Sequence, residues 1–364
     1  MSGFCFYGKM ILMDKVMKRK IIVVIGIVVI LCVIVGYIYC WNETNGDVQT
    51  ENNSETLTQI TKAAERGDVK AQFELGSFYE HGNGITQDYT QALKWYRKSA
   101  EQGYKYAQYN LGTLYDSAKG VPQSYEYAKK WYRKAAEQGL DVAQFNLGLF
   151  YSSGRGGEQD YVQSAEWYGK SAAQGYGRAQ TNLGMLYLHG LGVTQDYQVA
   201  RMWFEKSACS NDSRAMNNLG YMYNYGIGVP KDQAKAVVWY QKAAKFGSPE
   251  AKTDLALLYF KGQGGLEHND KKGMELLIQA AQQGEREAQN NLAIIYSKGD
   301  VSFRDYAKSY AWYSVAFANG KLSAKEQQSE ISRKMNADEL ERANKLAHEY
   351  ILKYSQHIYG YSNE

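Results

Sequence analysis

The chain is short of proline, cysteine and histidine, and each shortage closes off a class of protein. Three prolines stand against 35 glycines in 364 residues, which argues against domains strung on proline-rich linkers, although length alone would suggest two or three domains. Of the four cysteines, Cys5, Cys32 and Cys40 fall near the N-terminus and only Cys209 lies in the body, so no disulfide framework is expected. The five histidines, His81, His189, His268, His348 and His357, never recur at i+3 or i+4, and no His-Glu-x-x-His occurs. No metal site is expected. Neither Ser-x-x-Lys nor Gly-x-Ser-x-Gly is present, so the usual signatures of an acylating serine are missing. An excess of one charge is absent too: 42 basic residues face 38 acidic ones, and the surplus comes from Lys9, Lys15, Lys18, Arg19 and Lys20 against Asp14. The balanced remainder has no bulk electrostatic reason to bind nucleic acid or an anionic surface.

What the N-terminus does have is an apolar run. From Ile21 to Tyr39 there are 19 residues without a charge, about 28 Å of helix against a bilayer core of about 30 Å. Lys18, Arg19 and Lys20 precede it, and Tyr37, Tyr39 and Trp41 close it, which predicts a cytoplasmic N-terminus over 1–20, a signal-anchor span over 21–41 and a body in the periplasm or outside the cell. The rival is a cleaved signal peptide, whose apolar core is shorter and ends in small residues. Here the run ends Tyr37-Ile38-Tyr39-Cys40, and Tyr39 before Cys40 also suits a lipoprotein site poorly. Residues 42–56, rich in Asn, Glu and Thr, read as a solvated tether that could reach about 50 Å when stretched.

The body repeats itself every 36 residues. Ala71, Ala107, Ala143, Ala179, Ala215 and Ala251 keep this spacing, and Ala288 follows one residue late because the sixth repeat has an extra loop residue. Eight positions on, all seven repeats carry tyrosine: Tyr79, Tyr115, Tyr151, Tyr187, Tyr223, Tyr259 and Tyr296. Ala71, Leu75, Phe78 and Tyr79 mark one face of a first helix, helix A, and Ala92, Trp95, Tyr96, Ser99 and Ala100 one face of a second, helix B. Gly82 and Gly84 give the turn between them its freedom, Asp88 supplies an N-cap oxygen with Gln91 at the capping-box position, and Gly103 offers a left-handed stop. That stop recurs at Gly67, Gly139, Gly175, Gly247, Gly284 and Gly320, with Asn211 in the fourth repeat.

Gly76, Gly112, Gly148, Gly184 and Gly220, with Ala256 and Ala293, fall inside helix A, where glycine costs about 0.5 to 1 kcal/mol. The expected return is close approach of the helix carrying Trp95, Trp131, Trp167, Trp203 or Trp239. Pro122 and Pro230 lie in turns and Pro249 just before a helix A, so no proline breaks a helix. Together these marks predict an all-α fold: a right-handed α/α solenoid of seven helix-turn-helix repeats over 71–320, a capping helix over 57–70, and C-terminal capping helices and tail over 321–364. Asn336-Ala-Asp-Glu339 opens the last of these as a capping box, running to about Lys353.

One polar residue per repeat precedes the helix A leucine: Glu74, Asn110, Asn146, Asn182, Asn218, Asp254 and Asn291. These form the candidate partner-binding ladder, since an Asn side chain both donates to and accepts from the backbone of an extended peptide. The alternative is that each ties its own repeat to a loop carbonyl. Gly169-Lys170-Ser171 has the look of a phosphate-loop end, but Ser164 occupies the leading glycine's place and the segment lies in helix B of repeat three.

The strings AQYNLGTLY at Ala107–Tyr115 and KWYRKAAEQG at Lys130–Gly139, with the G-x-G-V turn at Gly190–Val193, resemble the Sel-1-like repeat family, relatives of the tetratricopeptide solenoids. The resemblance covers roughly Leu57 to Gly320. It weakens in repeat two, where Ala118 replaces the first turn glycine, and in repeat seven, where Val301 replaces the second and Ala293 the helical one. It implies an interaction scaffold in signalling, quality control or the bacterial envelope and does not imply a reaction, and no cofactor is expected. The helix-pair disulfides of cysteine-rich relatives linked to β-lactam binding cannot form with Cys209 alone, which is expected to be a partly buried free thiol. The expectation is therefore a membrane-anchored, non-catalytic adaptor binding a protein or peptide partner. An inhibitor or immunity protein acting against a toxin at the membrane is the narrower alternative, and a cell-wall-active enzyme the remote one.

Overall fold

In the amide-to-carbonyl bonds that close each repeat, one pattern recurs seven times. The backbone N–H of Asp88 donates to the Tyr79 carbonyl at 2.9 Å, and its counterparts at Ser124, Asp160, Asp196, Asp232, Asn269 and Asp305 donate to Tyr115, Tyr151, Tyr187, Tyr223, Tyr259 and Tyr296. In six of these repeats the same residue then caps helix B, its side-chain oxygen accepting from first-turn amides. One short polar residue thus both shuts the A-to-B turn and starts the next helix. The Asp88 cap takes the amides of Thr90 and Gln91.

The computed structural model describes residues 57–299 and 304–355. The expected cytoplasmic segment, membrane span and tether over 1–56 lie outside them. Among the described residues no helix is long and apolar enough to cross a membrane, and there is no strand.

The described residues fall into two compact units that divide at Ser124 and Tyr125. The first holds α1 over 57–65, α2 (Val69–His81), α3 (Tyr89–Glu101) and α4 (Lys105–Asp116). The second begins with α5 (Tyr125–Glu137), α6 (Asp141–Ser153), α7 (Tyr161–Ala173), α8 (Gly177–His189), α9 (Tyr197–Ala208) and α10 (Ser213–Tyr225). It continues with α11 (Gln233–Lys245), α12 (Pro249–Lys261), α13 (Asp270–Gln282), α14 (Arg286–Lys298), α15 (Tyr306–Ala318), α16 (Ala324–Ser332) and α17 (Ala337–Tyr354). The result is an all-α solenoid of helix pairs. Even-numbered helices from α2 to α14 are helix A, and odd-numbered ones from α3 to α15 are helix B.

Helix B buries the five residues its periodicity singles out, Ala92, Trp95, Tyr96, Ser99 and Ala100. Helix A differs: in α2 the buried residues are Ala71, Gln72, Leu75 and Gly76, while Phe78 and Tyr79 are only half-buried. The buried glutamines are structural. Nε2 of Gln72, Gln108, Gln144, Gln180 and Gln289 donates to the carbonyl of an alanine near the end of the preceding helix B, at 3.0 to 3.1 Å. Gln102 and Gln174 bond the Oε1 of Gln72 and Gln144 in turn. Each such amide therefore ties three consecutive helices, and a buried amide left without partners would cost about 1 to 3 kcal/mol. In the fourth repeat Ser210 stands where Gln102 and Gln174 do, and Gln180 Oε1 is left without a hydrogen-bond partner.

The helical glycines do receive a close neighbour, but not tryptophan. A Cβ at Gly76, Gly148 or Gly220 would stand 2.6 to 2.7 Å from the ring of Tyr96, Tyr168 or Tyr240, and at Gly184 2.7 Å from Phe204. The ring one residue after the tryptophan fills the notch because it points inward, fully buried. The tryptophans lie nearer the surface, each with a lysine ammonium over its ring: Lys98 on Trp95, Lys134 on Trp131, Lys170 on Trp167, Lys206 on Trp203 and Lys242 on Trp239, at 4.0 to 4.5 Å. This i, i+3 pairing holds the outer ring in place.

The glycine stops adopt left-handed backbone as their positions require, and the two non-glycine residues with positive φ among the described ones are Asn211 at 62° and Ala118 at 56°. Pro249 is the first residue of α12. Cys209 is exposed rather than partly buried: it follows the last buried alanine of α9 on the outward side, where Glu101 and Glu137 stand in earlier repeats. At the far end α17 opens with a closed capping box, the Asn336 side chain taking the Glu339 amide and the Glu339 carboxylate the Asn336 amide. Tyr350 and Tyr354 of α17 pack on Trp312 of α15 at 4.9 and 5.4 Å between ring centres, covering the last helix B.

Candidate functional site

A residue just before a buried leucine on helix A is turned toward the seam with the preceding repeat. Glu74 is exposed, whereas Asn110, Asn146, Asn182, Asn218, Asp254 and Asn291 are half-buried. Three of them stand by the hydroxyl of a buried tyrosine of the preceding helix B, Asn110 by Tyr96, Asn182 by Tyr168 and Asp254 by Tyr240, the Tyr240 hydroxyl being without a hydrogen bond of good geometry. Tyr96 also donates to Glu80 Oε2 at 2.6 Å. Burial holds all three phenols well above their ordinary pKa, so they act as neutral hydroxyls. In the fourth repeat the ring is Phe204, which offers no hydroxyl, and Asn218 Nδ2 instead lies 3.3 Å from Met185 Sδ. In these repeats the ladder side chain thus faces a side chain of the neighbouring repeat. An Asn amide has capacity beyond one such bond.

Asp254 is the acidic exception within the second unit. Burial pushes its carboxyl up to about 6, the nearby Glu285 and Glu250 add to the rise, and the Tyr240 hydroxyl opposes it. Burial raises Glu285 as well, against the amides of Ala288 and Glu287 and the Thr253 hydroxyl. A cleft of about 280 Å³ opens beside Asp254, lined in part by Asn224, Tyr225, Leu257, Lys231 and Lys261. Tyr225, 59% exposed, packs on Tyr221, which lies outside that lining and is 41% exposed, with ring centres 4.7 Å apart.

Three residues after each ladder position, on the same helix face, the second unit carries Leu149, Met185, Tyr221, Leu257 and Ile294. Tyr221 and Ile294 are exposed and the others half-buried. Ser77 and Thr113 hold this place in the first two repeats. The stripe escapes a search for buried faces because its side chains are at most half-buried, with Met185 packed against the edge of the core. Its only sequence signal is the offset of three from the ladder.

Among the described residues no group of three or more His, Cys, Asp or Glu is placed to hold a metal ion. His81 and His189 are exposed at the ends of their helices. Gly169-Lys170-Ser171 lies inside α7, where Ser171 Oγ donates to the Asp141 carbonyl at 2.8 Å, so it forms no phosphate cradle.

Sequence comparison matches the Sel1 repeat seven times, at residues 69–104, 105–140, 141–176, 177–212, 213–247, 249–285 and 286–321. The chain belongs to the Sel1 repeat family. Two solved Sel1 relatives are similar over long stretches. A protective antigen present in uropathogenic Escherichia coli strains, displaying an SLR fold, is 31% identical with a TM-score of 0.60, over 82% of this chain and 79% of its own. A Sel1 repeat protein from Oxalobacter formigenes is 32% identical with a TM-score of 0.59, over 64% of this chain and 93% of its own. An immunity protein from Pseudomonas aeruginosa also matches, at 21% identity and a TM-score of 0.42, over 57% of this chain and 80% of its own, too remote for its role to carry over. No curated protein matches. Each Sel1 repeat as matched begins at the first residue of helix A, so the ladder and the stripe occupy one fixed register of the Sel1 unit.

Proposed function

We propose that this Sel1 repeat chain is a non-catalytic adaptor that binds a protein or peptide along its helix A face, with the body held at a membrane by the 21–41 span and lying in the periplasm or outside the cell. The observation that carries the binding reading is the pairing, in repeats three to seven, of a half-buried amide or carboxyl with an apolar side chain one turn further along. The polar rung can meet backbone groups of an extended chain while the apolar rung takes alternate side chains. The exposed Tyr221 and Tyr225 supply the rigid aromatic contact area that binding surfaces favour. The placement rests on the charge step around Ile21–Tyr39, and a relative described as a protective antigen fits a body outside the cytoplasm. An inhibitor or immunity protein is the narrower form of the proposal, supported if a toxin gene lies beside this one and the two proteins bind.

Photo-crosslinking in cells from probes at Asn146 and Tyr221 tests the surface, with a matched probe at the outward-facing Val238. One protein captured at both ladder-side sites and not at Val238 is the expected result. Capture at Val238 alone would put the binding face on helix B and overturn the assignment.

A further inference from the structure

The balanced charge of the body conceals a local imbalance. On the outer side of α5, Lys129, Lys130, Arg133 and Lys134 line a pocket of about 470 Å³ together with Glu126, Glu137 and Gly156. None of the four cations is in an ion pair among the described residues, although Glu126 and Glu137 stand on the same helix. Aromatic rings hold three of them instead. The Lys129 ammonium lies 4.1 Å from the centre of the Tyr151 ring and the Arg133 guanidinium 5.9 Å from it, with Arg133 donating to the Tyr151 hydroxyl. Lys134 lies 4.4 Å from the Trp131 ring, and Arg155 in the following turn lies 5.5 Å from that of Tyr125. Burial and the like charge of Arg133 lower the Lys129 pKa, partly offset by Asp160.

Four cations, Lys129, Arg133, Lys134 and Arg155, are therefore fixed by ring faces, which leave most of their hydrogen-bonding groups free for an acceptor, and Lys130 stands exposed beside them. Helix B of later repeats does not reproduce this set: Ala165, Glu166, Gly169 and Lys170 hold the corresponding places in repeat three, and Val237, Val238, Gln241 and Lys242 those in repeat five. We propose that this face of repeat two is a second docking site, independent of the helix A surface, for an acidic segment of a protein partner. Lys129 with Arg133 and Lys130 with Lys134 form two pairs one helical turn apart, about 6 Å. Carboxylates on alternate residues of an extended segment, spaced about 7 Å, span that interval, and the Arg133 guanidinium can grip one of them in forked fashion.

The test is fluorescence anisotropy of a labelled oligoglutamate peptide against the full-length protein in detergent micelles at low salt, with Lys129→Gln/Arg133→Gln and Lys130→Gln/Lys134→Gln doubles and a Lys242→Gln control. The doubles remove outward charges, and circular dichroism checks that each remains folded. Expected are saturable binding that salt weakens, a loss of about tenfold or more in each double, and no change in the control. No saturable binding, or equal binding by all variants, overturns the proposal. If vesicles containing anionic phospholipid compete as well as unlabelled peptide, matched for negative charge, the face reads a lipid surface and the peptide assignment falls. Because the ladder is untouched, none of these outcomes bears on the helix A surface.

Discussion

Replacing Asp254 with asparagine should stabilise the protein, and by an amount that depends on pH. The position holds Asn in repeats two to five and seven, and Asn110 and Asn182 stand by a buried tyrosine hydroxyl as Asp254 does. Asparagine can therefore keep the Tyr240 contact while discarding the charge. The Asp254 carboxyl is raised to about 6, about two units above an ordinary aspartate, and each unit corresponds to about 1.4 kcal/mol. An acid with a raised folded-state pKa holds its proton more tightly when folded. Its penalty is absent below the unfolded pKa of about 4, grows as pH rises, and is complete above about 6. Asp254→Asn should then gain about 2 to 3 kcal/mol at about pH 8 and almost nothing at about pH 4, with some of the gain passing through relief of Glu285. Urea unfolding at both pH values, followed by circular dichroism, measures the difference. Since repeat arrays unfold in parts, the midpoint of the transition reporting on α11 to α13 is the quantity to compare. An equal gain at both pH values would refute the electrostatic argument. A loss at about pH 8 would show that the carboxylate is required where it stands.

Two further substitutions test the packing logic. Gly220→Ala would gain about 1 kcal/mol from helix propensity on an exposed surface. Here the new Cβ would meet the buried Tyr240 ring at 2.6 Å, so a net loss of about 1 to 3 kcal/mol is expected in urea unfolding, and unchanged or increased stability would show that the ring yields. Ala118→Gly should stabilise by about 1 kcal/mol, because φ of 56° strains any residue with a Cβ. A thermal or urea midpoint that falls would contradict the strain argument.

Much of the solenoid was legible in the chain. A 36-residue period carries its own phase, so the two helices of each repeat, the capping aspartates and the left-handed stops at glycine or Asn211 follow from periodicity and backbone sterics. These are local rules, and the closed box at Asn336 and Glu339 shows how well they hold at the C-terminal end. The place of the ladder in the repeat was legible too. Its inner partners were not, because Asn110 and Tyr96, or Asp254 and Tyr240, meet across a repeat boundary set by packing.

What the sequence by itself determined is the all-α repeat, its register and its family. Only the tertiary structure decided which aromatic fills the glycine notch, since Trp95 and Tyr96 are adjacent and which of the two reaches it depends on how helix B turns against helix A. It also decided that Cys209 faces outward, that Asp254 is buried enough to hold its proton at mild pH, and that Lys129 and Arg133 share the Tyr151 ring in place of a carboxylate. Those outcomes depend on distances between residues that belong to different helices. A repeat period sets which residues are equivalent, but not how far their neighbours stand in space.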